Sequence, residues 1–176
     1  MLLELLPVKE IILSPDADAE EGMLTEIIEA ARRHNTWVTM LEEDEERTGE
    51  KLRLLHLFAP QNDGTENERC IISLVSVGDY DMLFTGDSLK KAELDLLRRA
   101  ELPDTELLIA GHHGSKTSTD EAFLEAVRPE DAVVSVGWNS YGHPAQEVLL
   151  RLQTQGCRIW RTDRNGTVEI RVKHTD

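Results

Sequence analysis

The sequence predicts a mixed α/β sandwich in which strands alternate with helices. Three observations carry that expectation. Short apolar runs of strand length recur along the chain, the clearest being Cys70 to Val77, CIISLVSV. Segments of helical spacing lie between them, as in Ser88 to Ala100, where Leu89, Ala92, Leu96 and Leu97 line one face. Turn-forming residues punctuate the boundaries. A chain of 176 residues has room for one domain with a real core and too little for two. Its 40% hydrophobic and 30% charged composition is that of an ordinary soluble globular protein.

In order, Val8 to Leu13 reads as a buried strand entered after Pro7. Asp16 or Asp18 is placed to cap a helix from Glu20 to His34, with Met23, Leu24, Ile27, Ile28 and Ala31 on one face. Trp37 to Leu41 is a second strand, the acidic run Glu42 to Glu50 a solvated loop, and Leu52 to Phe58 a third strand. Pro60 to Glu66 is loop. Cys70 to Val77 turns through Gly78-Asp79-Tyr80-Asp81 into Met82 to Phe84 as a hairpin. The Ser88 to Ala100 helix is broken at Pro103-Asp104 before the strand Leu107 to Ala110.

Ser118 or Thr119 caps the next helix, whose Phe123, Leu124 and Val127 face inward, and Pro129 ends it. Ala132 to Val136 is a strand, Gln146 to Gln155 a helix stopped by Gly156, and Arg158 to Arg161 a strand. Asp163 to Gly166 predicts a turn into a last strand, Thr167 to Val172.

Several function classes are disfavoured. The net charge of −15 argues against a broad grip on nucleic acid, which works by counterion release from Lys and Arg. The acidity is uneven, however: residues 1–66 hold 16 Asp and Glu against 6 Lys and Arg, and the remainder 18 against 13. No apolar run approaches bilayer-spanning length, and the start lacks the basic leader and small-residue cleavage site of a signal peptide. Cys70 and Cys157 sit in strand-like runs without CxxC spacing, as buried thiols do.

Chemistry gathers at strand ends. Met82 to Phe84 runs into Thr85-Gly86-Asp87, and Leu107 to Ala110 into Gly111-His112-His113-Gly114-Ser115. A strand delivering a carboxylate, a returning helix and a strand delivering imidazoles collect metal ligands at one edge of a sheet. Asp87 is either that ligand or the cap of the helix after it. Adjacent His112 and His113, in extended chain, point to opposite sides, so one enters the site and the other orients it or moves a proton. Lys116 is the cation beside them, a contact for an anionic substrate or a solvated lysine. His143, in Tyr141-Gly142-His143-Pro144, follows another strand and is held by the proline. His34, His56 and His174 lie outside any ligand-like context.

The runs FTGD, GHHGSKTSTDEAFLEAVRP, VVSVGWNSYGHPAQEVLLRL and RIWRTDRNGTVEI together resemble the metallo-β-lactamase-like domain of the ComEC/Rec2 DNA-internalisation competence proteins. The resemblance extends from about Leu6 and is strongest from Asn67 to Val168. It implies an αββα sandwich carrying one or two divalent ions, Zn²⁺ or Mn²⁺, that activate water against a phosphodiester or another ester. It implies Asp87, His143 and one of His112 and His113 as metal ligands, with His112 and His113 as the catalytic pair, His112 a ligand or proton shuttle and His113 its orienter. Lys116, Ser115 and Asn67 become substrate contacts, Asn67 standing where many members carry a further histidine. Cys70 departs from the serine usual in the competence proteins.

The larger departure is at the front. The superfamily's HxHxDH cluster has no counterpart, since no HxH or DH pair occurs upstream of Asp87. The expectation is therefore a single metallo-β-lactamase-like domain over residues 1–176 truncated at its amino-terminal side, lacking the first ligand-bearing segment, with little activity and weak metal binding of its own. The parent would be a bacterial cell-membrane protein whose partners are its membrane domain and DNA. The rival expectations are a non-catalytic α/β module packing on a missing half or a second copy, and an acyl or thioester hydrolase.

Overall fold

The strand-length runs settle into two sheets. The computed structural model describes residues 2–15, 21–49, 54–58 and 66–172. The smaller sheet pairs β1 (Glu10–Leu13) with β2 (Trp37–Met40) in parallel, Ile11 opposite Val38. The connection runs through α1 (Glu21–Arg33), whose Ala30 and Ala31 are buried. A parallel pair needs such a crossover, because a hairpin can join only antiparallel strands.

The larger sheet has seven strands in chain order: β3 (Glu45–Arg47), β4 (Leu54–Phe58), β5 (Ile72–Val77), β6 (Tyr80–Phe84), β7 (Leu107–Ile109), β8 (Asp131–Val134) and β9 (Arg158–Arg161). From β3 to β6 it is an antiparallel meander, and β5 turns into β6 through the predicted hairpin, with Val77 opposite Tyr80. From β6 to β9 it is parallel. The crossovers are α2 (Lys90–Arg99), α3 (Glu121–Val127) and α4 (Gln146–Thr154). The inward-facing residues expected on α3, Phe123, Leu124 and Val127, are fully buried. They join Leu96, Val148 and Leu152 from the neighbouring helices, and Leu83, Leu108 and Val134 from the strands, in one core.

Three expectations are corrected. The acidic stretch 42–50 is not all solvated loop, for it contains β3. Arg47 grips Glu45 on its own strand and Glu10 on β1, tying the edge of the large sheet to the small one. That guanidinium, with the Thr39 hydroxyl, holds the Glu10 carboxyl below its usual range. A charged strand is tolerable there because it is an edge, which charge protects from further pairing. The α3 cap is Asp120, whose Oδ1 accepts the Ala122 N–H at 3.0 Å, and not Ser118 or Thr119. Finally, Asp163 to Gly166 does not open a hairpin. Residues Thr162–Asn165 form a one-turn helix, α5, and residues 167–172 belong to no strand. Local bonding decides this: Asn165 Oδ1 accepts the Arg161 N–H at 2.8 Å, and Arg161 pairs with Asp163.

The proposed caps Asp16 and Asp18, most of the Pro60 to Glu66 loop, and His174 lie outside the described residues. Among the described residues no helix is long and apolar enough to cross a membrane. Cys70 and Cys157 are free thiols, both pushed above the usual cysteine range by burial.

Candidate functional site

Because β6, β7 and β8 are parallel and each is followed by a helix that returns the chain, their carboxyl ends lie side by side. Asp87, the His112-His113 pair and His143 each follow one of those ends. Topology therefore brings three remote segments to one edge, where α/β sheets bind ligands.

The first two turns are stitched together. Thr85, fully buried, donates its hydroxyl to Ile109 O at 2.9 Å, and Gly86 O accepts the His112 N–H at 2.9 Å. A side chain on Gly111 would crowd Thr85 Oγ1 at 3.1 Å and Ser88 O at 3.2 Å, so the backbones approach as only glycine permits. Asp87 is not a helix cap. Helix α2 starts at Lys90 with Leu89 in the cap position and no side-chain capping bond. The carboxylate is thus left for the site edge.

The two histidines are not extended. His112 (φ 49°) and His113 (φ 55°) are left-handed, followed by Gly114 at φ 79°, so three successive residues occupy a region that L side chains disfavour. The turn is held on several sides. Ser118 donates its hydroxyl to Gly111 O at 2.7 Å, and Arg151 of α4 donates to Ser118 O at 3.1 Å. The buried Glu93 of α2 accepts the N–H groups of Thr119 and Asp120 at 2.7 and 2.8 Å.

The coil separates the two rings. His113 Nδ1 lies 2.7 Å from Ser135 O, and since a carbonyl only accepts, Nδ1 carries the hydrogen. Its Nε2 then faces Asp87 Oδ1 at 3.6 Å. Two acceptors face each other, an arrangement satisfied by a proton on Nε2 or by a cation bound to both. Two ligands of one tetrahedral ion, at bond lengths of about 2.1 Å, sit about 3.4 Å apart. His112 turns the other way, edge-on to His143 with ring centroids 5.7 Å apart, and its Nδ1 is buried without a hydrogen-bond partner. Burial, and then the neighbouring His112 and His113, hold the His143 imidazole below the usual histidine range. Near neutral pH that favours the uncharged form, the one that ligates.

His143 is delivered by a loop that packs on the histidine turn. Ala145 N–H donates to Gly114 O at 2.8 Å, and Pro144, after a cis peptide bond, lies against Gly114. Asn139 holds the loop from within. Its Nδ2 donates to Gly137 O and His143 O, and its Oδ1 accepts the N–H groups of Tyr141 and His143, all at 2.9–3.1 Å. Replacing Asn139 with alanine is expected to lower stability by about 1–2 kcal/mol. It also speeds hydrogen exchange at the Tyr141 and His143 amides, which two-dimensional NMR would register.

The remaining predicted residues are placed differently. Ser115 is buried and bonds through its hydroxyl to Thr117, so it supports the turn. Lys116 is exposed on a separate cleft with Lys90, Lys91 and Glu147. Asn67 lies in a 3-10 turn before β5. Sequence reasoning missed Glu93, Ser135, Asn139 and Thr162. Only Asn139 carries a local signal, a turn former four residues before His143.

Three imidazoles and one carboxylate are a donor set suited to a borderline divalent ion. They meet in twos, however. Among the described residues no three His, Cys, Asp or Glu side chains are grouped to hold a metal.

No family model matches the chain. It is 30% identical over 181 residues to ComE operon protein 3 of Bacillus subtilis, an alignment that takes in 99% of this chain and 23% of that protein. It is 36% identical over 112 residues to competence protein ComA of Neisseria gonorrhoeae, covering 62% of this chain and 16% of that one. It is also 36% identical over 117 residues to recombination protein 2 of Haemophilus influenzae, covering 65% of this chain and 15% of that one. The chain thus spans about a quarter or less of the curated relatives it matches. Among solved structures, a mutant of the CmlA beta-hydroxylase superposes with a TM-score of 0.55 over 86% of this chain and 38% of that one, at 11% identity. That likeness is one of fold, and it assigns the mixed α/β architecture to the metallo-β-lactamase type.

Proposed function

We propose that the chain forms the strand-end wall of a metal-dependent hydrolase site acting on phosphodiesters, in a protein of DNA-uptake competence. The carrying observation is the lone pair of His113 Nε2 aimed at Asp87 Oδ1 across 3.6 Å, beside the unpartnered His112 Nδ1. Buried polar atoms are rarely left orphaned without a functional reason. The segmental similarity to competence proteins supports the setting. Asp87, His112 and His143 are proposed as donors to Zn²⁺ or Mn²⁺ in two pairs, Asp87 with His113 and His112 with His143. The proposed parent sits in a bacterial cell membrane, with its membrane domain and DNA as partners.

Because the donors pair only in twos, the chain alone is expected to bind Mn²⁺ or Zn²⁺ weakly and to show negligible phosphodiester turnover. Calorimetric titration with each ion, on wild type and Asp87→Ala, tests the assignment. A weakening of about tenfold or more in the variant is expected for loss of one of few ligands. Equal binding by both proteins would remove Asp87 from the site. Absence of binding would instead favour a non-catalytic module. Robust turnover abolished by Asp87→Ala would overturn the expectation of inactivity.

A further inference from the structure

The loop that delivers His143 turns two large aromatic side chains toward solvent. Trp138 is 97% exposed and Tyr141 82% exposed. Each ring offers on the order of 150–250 Å² of surface that folding has not removed from water. Exposure of this kind is unremarked in a slack loop, but this loop is not slack. The four bonds of Asn139 close it from within, and its exit is tied to Gly114 O. At its base the Thr162 hydroxyl donates to Val136 O and accepts the Val136 N–H, both at 2.7 Å. The rings stand on a backbone fixed at both ends and in the middle, so ordering it for a ligand costs little.

Tyr141 lies stacked on His143, with ring centroids 6.0 Å apart and planes 24° from parallel. Trp138, Tyr141, His143 and His113 border one open cleft of about 460 Å³, within the size range of small-ligand clefts. Its other walls include Ser135, Asn139 and Thr162. The occupant that suits two exposed aromatic faces on a fixed backbone is flat and has a π-face of its own. The chain's net charge of −15 disfavours holding a polyanion by phosphate contacts, so affinity for such a ligand has to come from its ring faces.

We propose that Trp138 and Tyr141 are a stacking platform for an unpaired nucleobase, seating the adjoining phosphodiester over the histidines. The assignment rests on the phosphodiester reading and specifies how that substrate is recognised: by base faces, which a duplex conceals, and not by backbone charge.

The test is fluorescence anisotropy with a labelled oligothymidylate of about ten nucleotides, using the full chain in EDTA so that hydrolysis plays no part. Wild type is expected to bind with a shallow salt dependence. Trp138→Ala and Tyr141→Ala each weaken binding about tenfold, the effect of one lost base stack. Trp138→Phe retains most of it. An abasic strand of equal length and a blunt duplex bind wild type no better than the thymidylate binds Trp138→Ala. Circular dichroism checks that the surface substitutions leave the fold intact. Abasic and thymidylate strands binding alike, or no binding by wild type, would overturn the proposal. So would a wild-type dimer in sedimentation that Trp138→Ala converts to monomer, because a second copy would then cover the rings. Binding that follows this pattern while Mn²⁺ and Zn²⁺ bind wild type and Asp87→Ala equally counts against the metal-site reading alone.

Discussion

Replacing Gly114 with alanine is expected to destabilise the protein by about 3 kcal/mol and to displace His143 from His112. Two independent costs add. Gly114 sits at φ 79°, where a Cβ costs roughly 1–2 kcal/mol. That Cβ would also stand 2.7 Å from Pro144 Cβ, 3.2 Å from Pro144 Cα and 3.1 Å from Val134 Cγ1. Atoms do not approach so closely, and forced overpacking of this kind costs about 1–3 kcal/mol. The neighbours cannot yield easily, because Val134 is a fully buried core residue of β8 and Pro144 has a rigid ring. Relief comes instead from the loop backing away, which carries His143 with it and removes the edge-on contact with His112. Denaturant titration measures the first effect and imidazole chemical shifts the second. Gly137→Ala is the control, since that glycine has no positive φ and open space where its Cβ would be. A Gly114→Ala protein within about 0.5 kcal/mol of the control would show that this close approach does not hold the loop.

Glu93 supplies the second large effect, and its sign reverses what a salt-bridged carboxylate would do. The side chain is 0% exposed, and burial pushes its pKa from 4.5 to about 7 against the opposing pull of the Asp120 and Thr119 N–H groups. An acid that binds its proton more tightly when folded stabilises the fold where it is protonated. The contribution is complete below about pH 4.5 and is lost as pH rises toward and through 7. Over that window it amounts to about 3 kcal/mol as an order of magnitude. Other carboxylates titrate too, so the quantity to measure is the difference between wild type and Glu93→Gln. That difference is expected to move in favour of wild type from pH 8 to pH 5 by about 2–3 kcal/mol. A difference independent of pH would refute the assignment. Glu93→Ala is expected to cost about 3–4 kcal/mol at pH 6, because it strands two buried N–H groups at the start of α3. Those groups adjoin the left-handed histidine turn, so the loss reaches the site.

Much of the frame was legible because it is written locally. A strand-length apolar run marked β5, helical spacing marked α2, and the apolar triplet of α3 lies in the core as expected. The placement of Asp87, His112, His113 and His143 was legible as well, since each follows an apolar run and the ends of parallel strands joined by helices must lie together. Two of the misses share a cause, a partner remote in sequence. The β3 stretch is almost wholly charged, and only Glu10, some 37 residues away, shows why Arg47 belongs in an edge strand. Glu93 looks like an ordinary charge on an amphipathic helix until the loop beyond β7 is laid over it.

By itself, then, the sequence determined which residue types arrive at the strand ends and in what order. Tertiary structure alone decided which imidazole faces which partner. A left-handed turn at His112 and His113 is costly in isolation and has no signature in its own residues. It exists because Glu93, Arg151, Ser118 and Pro144, drawn from four other places in the chain, hold it. That coil aims His113 at Asp87 and His112 at His143, where extended chain would have sent one of them away from the site.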